Sequence, residues 1–311
     1  TIPCIDNGND VVLVGTHLED EIINNINSKN KFSKVLNCEL PQKLRATKAS
    51  SLADEINRKP DVIIIGVSSK GIEWASKEIS KSYDLQTPIV LLTKGLTIID
   101  NKFETLVEKF KNFLTINGIK KINISALAGP CLAKDLSQKN KTSVVLANSD
   151  LNIIKPIGKM ISNNYYSVEY SQDLLGVEVC AAIKNFYSMI IGSSTGLNTS
   201  AGLFYKSLKE MENFTKMLGG KEETVYGLAG LGDLYVSSAG GRNSIMGKYL
   251  GQGKLYSEAK SKYMKNETIE GAQLAFEIGP KILKDLKQKD FPLMYSLVDA
   301  LCNDKKFKII W

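Results

Sequence analysis

Asp61-Val-Ile-Ile-Ile-Gly-Val67 and Thr87-Pro-Ile-Val-Leu-Leu-Thr93 are short runs with apolar residues at consecutive positions. A strand with one wet face alternates apolar and polar residues. A run apolar on both faces suits a strand covered by helices on both sides, as in a parallel sheet. Outward from this pair, Val11 to Gly15, Lys121 to Ala128, Ser143 to Ala147 and Tyr165 to Tyr170 are further β-rich runs. Between them Phe103, Leu106, Val107, Phe110 and Leu114 recur at helical steps of three and four. Strands alternating with helices at this spacing predict a doubly wound parallel α/β domain over residues 1–172.

From about Asp173 the pattern changes. Leu203, Phe204, Leu208, Met211 and Met217 form one apolar stripe, and Leu274, Ile278, Ile282 and Leu286 form another. No strand alternation returns, so residues 173–311 are expected to form an all-α domain, with the boundary near Ser171 to Asp173.

Composition narrows the chemistry. The chain has 311 residues, 43% hydrophobic and 23% charged, an ordinary globular balance. The five cysteines, Cys4, Cys38, Cys131, Cys180 and Cys302, show neither C-x-x-C pairing nor metal-ligand spacing, which points to a reduced, cytoplasmic chain with no metal. The single histidine, His17, leaves no material for a histidine triad or a zinc site, so proton chemistry would fall to a lysine or a carboxylate. The net charge of +7 comes from lysines spread along the chain, which favours a small anionic substrate over nucleic acid. No uninterrupted apolar run approaches the ~20 residues of a membrane span.

A dinucleotide fold opens with a strand, a G-x-G-x-x-G turn and a helix whose N-terminus holds the pyrophosphate. Here Thr1 to Asp10 reads as the tail of that helix running into the second strand. Gly227-Leu-Ala-Gly-Leu-Gly-Asp233 has glycines at the wrong spacing, in the helical half. The expectation is a Rossmann-type domain incomplete at its start, which binds cofactor weakly until a strand and glycine turn are restored upstream.

Three stretches could carry chemistry. In Gly176-Val-Glu-Val-Cys-Ala-Ala-Ile-Lys-Asn-Phe-Tyr-Ser-Met-Ile-Ile191, Lys184 and Asn185 sit mid-helix among apolar residues. A buried lysine loses proton affinity and becomes a usable general acid/base; a half-exposed one would snorkel to water instead. In Gly230 to Ser244, Gly240-Gly-Arg-Asn243 feeds a helix start whose free N–H groups, with the Arg242 fork, suit an anion. Asp233 and Ser237 lie just upstream, and the alternative is a plain tight turn with Asn243 or Ser244 as helix cap. Lys94, Gly129-Pro-Cys-Leu-Ala133 and His17 each follow a strand, the end at which open α/β sheets bind ligands, although each also suits an ordinary loop.

Jointly, Gly66-Val-Ser-Ser69, Thr93-Lys-Gly95, Ala128-Gly-Pro130, Gly176-Val-Glu178 with Ala182-Ile-Lys-Asn185, Gly227 to Leu234, Gly240-Gly-Arg-Asn243 and Glu270-Gly271 resemble the NAD(P)-dependent glycerol-3-phosphate dehydrogenases. The resemblance runs in order across essentially the whole chain. It implies a Rossmann-type domain followed by a helical substrate domain, with the site in the cleft between them. It also implies interconversion of sn-glycerol 3-phosphate and dihydroxyacetone phosphate with NAD or NADP, and Lys184 matches the proton-transferring lysine. Lys94, Gly129, Asn185, Asp233, Ser237, Gly241, Arg242 and Asn243 match positions at the substrate. Thr16, His17, Ser68, Lys94, Ala133, Arg242 and Glu270 match positions at the cofactor. The departures are the missing glycine turn, Cys131 in place of a hydroxyl residue, and Thr16-His17, which supplies no acid for an NAD ribose. The reading admits a homodimer and includes neither nucleic acid nor membrane insertion. Its rivals are a dehydrogenase of similar build for 2-keto acids or hydroxyacyl substrates, and a non-catalytic protein that keeps only the phosphate pocket.

Overall fold

The structure, a computed structural model, describes residues 1–28, 31–83 and 86–311. In chain order the first elements are α1 (Ile2–Asp6), β1 (Val12–Val14), α2 (Asp20–Ile26), β2 (Phe32–Ser33), β3 (Cys38–Glu39), β4 (Arg45–Thr47), α3 (Leu52–Asn57), β5 (Ile63–Ile65) and α4 (Ile72–Ser80). There follow β6 (Ile89–Leu91), β7 (Leu96–Ile99), β8 (Lys102–Thr105), α5 (Leu106–Ile116), β9 (Ile124–Ala128), α6 (Ala133–Ser137), β10 (Thr142–Ala147), α7 (Leu151–Ile161) and β11 (Tyr166–Ser171). The remainder is helical: α8 (Leu174–Gly192), α9 (Leu197–Met217), α10 (Asp233–Ser238), α11 (Arg242–Gly251), α12 (Tyr256–Lys262), α13 (Glu270–Asp285) and α14 (Pro292–Cys302). The chain divides into two compact units: Thr1–Thr93, Val107–Leu127 and Cys131–Gln172 form one, and Lys94–Leu106, Ala128–Pro130 and Asp173–Trp311 form the other.

The first unit is α/β. Its main sheet runs β11-β10-β9-β6-β5, with parallel pairing of β5 to β6, β6 to β9 and β10 to β11. Ile63 stands opposite Ile89, and Ile89 opposite Ile124, so the apolar runs form continuous rows across the strands. Ile154 and Ile157 of α7 pack with Val90 and Leu146. Each such fully buried aliphatic side chain contributes ~1.5–3 kcal/mol. Asp150 starts α7 by accepting the Asn152 N–H. β1 pairs in parallel with β4 as a separate two-stranded sheet, over a small core of Ile5, Ile23, Ile26, Leu40, Leu44 and Ala46.

The second unit is built around α8, which is buried from Gly176 to Gly192. Its 19 residues are long and apolar enough for a membrane span, a property that a search for uninterrupted apolar runs misses. Here protein covers it. Asp173 caps α8 through the Gly176 N–H, and its other oxygen accepts from Lys221 N and Thr224 Oγ1. Helix α11 lies hard against α8: a Cβ on Gly247 would sit 1.9 Å from the Met189 carbonyl oxygen, so only glycine permits this approach. That contact sets the α11 start beside the middle of α8.

Two details differ from the sequence reading. Phe103 belongs to no helix: it lies in β8, paired antiparallel with β7 through a turn whose Asp100 and Asn101 have φ of 48° and 58°. Two left-handed residues match the strand twist, and Asp and Asn tolerate them best, so the hairpin closes there and α5 begins only at Leu106. In the helical stripes Met217 is 45% exposed and Leu286 lies just past the end of α13, while Phe214 takes the buried place beside Phe103 and Phe291.

Candidate active site

The helical unit gathers four of the candidate residues into one cluster. Lys184, in the middle of α8, donates to Asp233 Oδ1 at 2.8 Å and to Ser237 Oγ at 2.5 Å. Lys94, two residues before the start of β7, donates to Asp233 Oδ2 at 2.9 Å. Asp233 and Ser237 are one helical turn apart on α10 and so share a face, and Ser237 Oγ also donates to Asp233 Oδ1. Lys184 therefore does not snorkel. It is 7% exposed and paired.

Charge and burial oppose each other here. Burial pushes the Lys184 ammonium toward losing its proton, Asp233 resists this, and the charge on Lys94 adds to the push; the net direction is below the ordinary lysine value. Burial alone would raise the Asp233 carboxyl, but the Lys94 and Lys184 ammoniums outweigh it and hold the group below the usual carboxylate range. Two cations around one anion leave a net positive, water-poor spot suited to an oxygen that gains negative charge.

Gly241 precedes the first turn of α11, with Arg242 first in the helix. No side chain caps this start, so the alternative of Asn243 or Ser244 as N-cap does not hold, and both lie buried inside the helix. The Arg242 guanidinium pairs with the Glu270 carboxylate at the start of α13, and both side chains are largely exposed. Asn243 Nδ2 donates to Asn185 Oδ1 at 2.9 Å, and Asn243 Oδ1 accepts from the Gly271 N–H. Gly129, buried and at a φ of 121°, turns the chain after β9.

In the α/β unit the remaining candidates follow the carboxyl ends of parallel strands: Thr16 and His17 after β1, Ser68 after β5 and Ala133 after β9. His17 packs against Trp74, with ring centroids 5.3 Å apart, a contact that no sequence spacing reveals. The Thr16 N–H donates to Glu19 Oε2 at 2.7 Å, so an acid does stand beside this loop, held by the loop's own backbone. Ser68 and Ala133 are exposed residues with small side chains.

A parallel α/β unit followed by a helical unit that buries a lysine–carboxylate cluster is the build of a dinucleotide-dependent dehydrogenase. Sequence comparison is more specific. The family description "NAD-dependent glycerol-3-phosphate dehydrogenase N-terminus" matches residues 1–154, and its C-terminus counterpart matches residues 173–311. A glycerol-3-phosphate dehydrogenase [NAD(P)+] of Fusobacterium nucleatum is 31% identical over 252 residues, covering 79% of this chain and 72% of the relative. An NADP(+)-dependent glycerol-3-phosphate dehydrogenase of Archaeoglobus fulgidus is 28% identical, covering 93% and 89%. The crystal structure of glycerol-3-phosphate dehydrogenase from Coxiella burnetii superposes with a TM-score of 0.83 at 24% identity, over 98% of this chain and 91% of that one, and shows the shared fold. The chain belongs to the NAD-dependent glycerol-3-phosphate dehydrogenase family.

Proposed function

We propose that this enzyme interconverts sn-glycerol 3-phosphate and dihydroxyacetone phosphate with NAD or NADP, using Lys184 as proton donor and acceptor. The observation that carries the site assignment is the Lys94–Asp233–Lys184 cluster, with Asp233 and Lys184 buried, in a chain of this family. When bound, the nicotinamide supplies the hydride chemistry. The residues that would hold the cofactor are Thr16, His17, Ser68, Lys94, Ala133, Arg242 and Glu270.

In the reducing direction Lys184 donates its proton to the substrate carbonyl oxygen. Its burial favours that transfer, because the neutral amine is the cheaper form in a dry site. Asp233 and Ser237 hold the lysine nitrogen in place before and after the transfer, since the neutral amine still donates to them. Lys94 keeps a positive charge beside the developing alkoxide. In oxidation neutral Lys184 takes the alcohol proton. Arg242, Gly241 and the open start of α11 hold the phosphate and thereby orient the carbon that reacts. Asn185, Gly129 and Asn243 complete the substrate set. The five free cysteines support a cytoplasmic enzyme.

The test is a spectrophotometric assay of the full-length protein with NADH and with NADPH. Consumption is expected with dihydroxyacetone phosphate and not with 2-keto acids. Preference for a 2-keto acid, or glycerol phosphate binding with no turnover on any carbonyl substrate, would replace this reading with one of its rivals.

A further inference from the structure

One face of the helical unit holds large apolar side chains in the open, with lysines among them. Leu197, Ala201 and Tyr205 recur at steps of four along α9 and so share a stripe. Leu197 is 88% exposed and Tyr205 63%. The segment from Lys305 to Trp311 lies against the unit without forming helix or strand. Phe307 is buried, and Ser296 Oγ donates to the Lys308 carbonyl, so the segment is pinned. Its end reaches α9. A Cβ on Gly202 would stand 3.1 Å from the Trp311 ring, and the Lys206 ammonium lies 5.0 Å from the ring centroid. Gly202 is less than one turn from Tyr205, and the indole is still 59% exposed. Packing has thus fixed a tryptophan beside a tyrosine and left both rings open to solvent.

The charges on this face are of one sign. Lys209, Lys216 and Lys305 each hold a carboxylate, but Lys206, Lys306 and Lys308 form no ion pair among the described residues. Lys306 and Lys308 flank the buried Phe307 and are themselves exposed. A second copy of the chain seated here would bring unpaired ammoniums against their own counterparts, which opposes association. The fitting partner supplies negative charge and takes up aromatic rings. We propose that this face is a peripheral docking surface for an anionic lipid bilayer. Trp311, Tyr205 and Leu197 enter the headgroup layer, where amphipathic rings settle, and Lys206, Lys306 and Lys308 meet the lipid phosphates. No helix crosses the bilayer, and α8 stays enclosed by protein. None of these residues belongs to the candidate active site, so the proposal does not depend on the reading of the substrate.

The test is co-sedimentation of the full-length protein, at low salt, with vesicles of phosphatidylcholine alone and of phosphatidylcholine mixed equally with phosphatidylglycerol. Binding is expected only to the mixed vesicles, with a blue shift of tryptophan emission. The other tryptophan, Trp74, packs on His17 in the α/β unit and should not contribute to the shift. Lys306→Glu combined with Lys308→Glu should weaken binding about tenfold or more, because each lysine near an anionic surface contributes about fivefold and a glutamate reverses it. Trp311→Ser should abolish the emission shift. Should that variant fail to fold, the exposed lysine pair decides alone. No binding to the mixed vesicles overturns the proposal. So does binding that the lysine pair leaves unchanged, which would place the contact on another basic surface. A second copy as the occupant would show as concentration-dependent association in analytical ultracentrifugation that Tyr205→Glu removes, and this too overturns it.

Discussion

Asp233 and Glu210 are carboxyl groups in the same helical unit, 4% and 5% exposed, and their acidities move in opposite directions. Burial works to raise both. Asp233 has an ammonium on each oxygen and is held below the usual carboxylate range. Glu210 has neutral partners within hydrogen-bond reach: the Leu293 and Met294 N–H groups at 2.7 and 2.9 Å, and the Tyr187 hydroxyl at 3.2 Å. These donors at the start of α14 lower its pKa but do not offset burial, and Glu210 is pushed up to about 7. Full charges at contact distance reverse a desolvation penalty that oriented dipoles only reduce. One group is a fixed anion that manages a proton on its neighbour; the other is a structural cap that can gain a proton itself.

The most severe way to disturb the Asp233 side of this contrast is to remove its inner cation. Lys184→Ala should lower kcat by about 10²–10⁴-fold, the range for loss of a positioned acid/base. Steady-state rates on the folded variant check it, and near-normal kcat would return Lys184 to a merely structural role. Asp233→Asn removes the anion and leaves two ammoniums facing one another. Uncompensated buried charge of this kind costs about 3–5 kcal/mol, to be read from urea unfolding. Without Asp233 the Lys184 ammonium also loses its proton more readily, so the alkaline limb of carbonyl reduction should move to lower pH. An unmoved limb would show that Asp233 does not govern the lysine.

Glu210 gives the opposite sign in a stability measurement. Its folded pKa of about 7 lies above the ordinary 4.5, so the folded chain holds this proton longer than the unfolded one does. The stabilising contribution is complete below the ordinary value and is lost as pH rises through about 7. Linkage makes the decline about 3 kcal/mol. Glu210→Gln should flatten that decline when Tm is followed against pH, and an unchanged slope would assign the proton elsewhere. The smallest stability effect belongs to the exposed Arg242–Glu270 pair. Arg242→Ala should cost no more than about 1 kcal/mol, the scale of a surface ion pair. It should nevertheless raise KM for the phosphorylated substrate about tenfold, and much less for its unphosphorylated analogue. Equal losses on both substrates would mean that Arg242 does not hold the phosphate.

Glu210 itself shows where sequence reading fails. It lies on α9 between exposed Lys209 and buried Met211, and as a charged residue it does not count in the apolar stripe that marks the buried face. Its partners come from α8 and from the distant start of α14, so only packing identifies it. The β7–β8 hairpin is hard to read from sequence for a different reason. Its Asp100-Asn101 signal is legible, but Phe103 also satisfies a helical spacing with Leu106 and Phe110, and two periods compete over so short a run. The enclosure of the Lys184 helix is legible in sequence, because Ala181, Ala182, Ile183 and Phe186 flank the lysine, but packing decides that its side chain is buried and does not snorkel.

Periodicity and composition alone determined the layout of this protein: doubly apolar runs made the parallel strands, three-and-four spacing made the helices, and a single histidine left proton chemistry to a lysine or a carboxylate. These are local properties, expressed wherever the run lies in space. Tertiary structure alone decided that Lys184 and Lys94 meet on one carboxylate, and that Glu210 meets two backbone N–H groups and a tyrosine hydroxyl. Those outcomes depend on distances of about 3 Å between residues far apart in the chain, and electrostatics and hydrogen bonding fall away within a few ångströms of such contact.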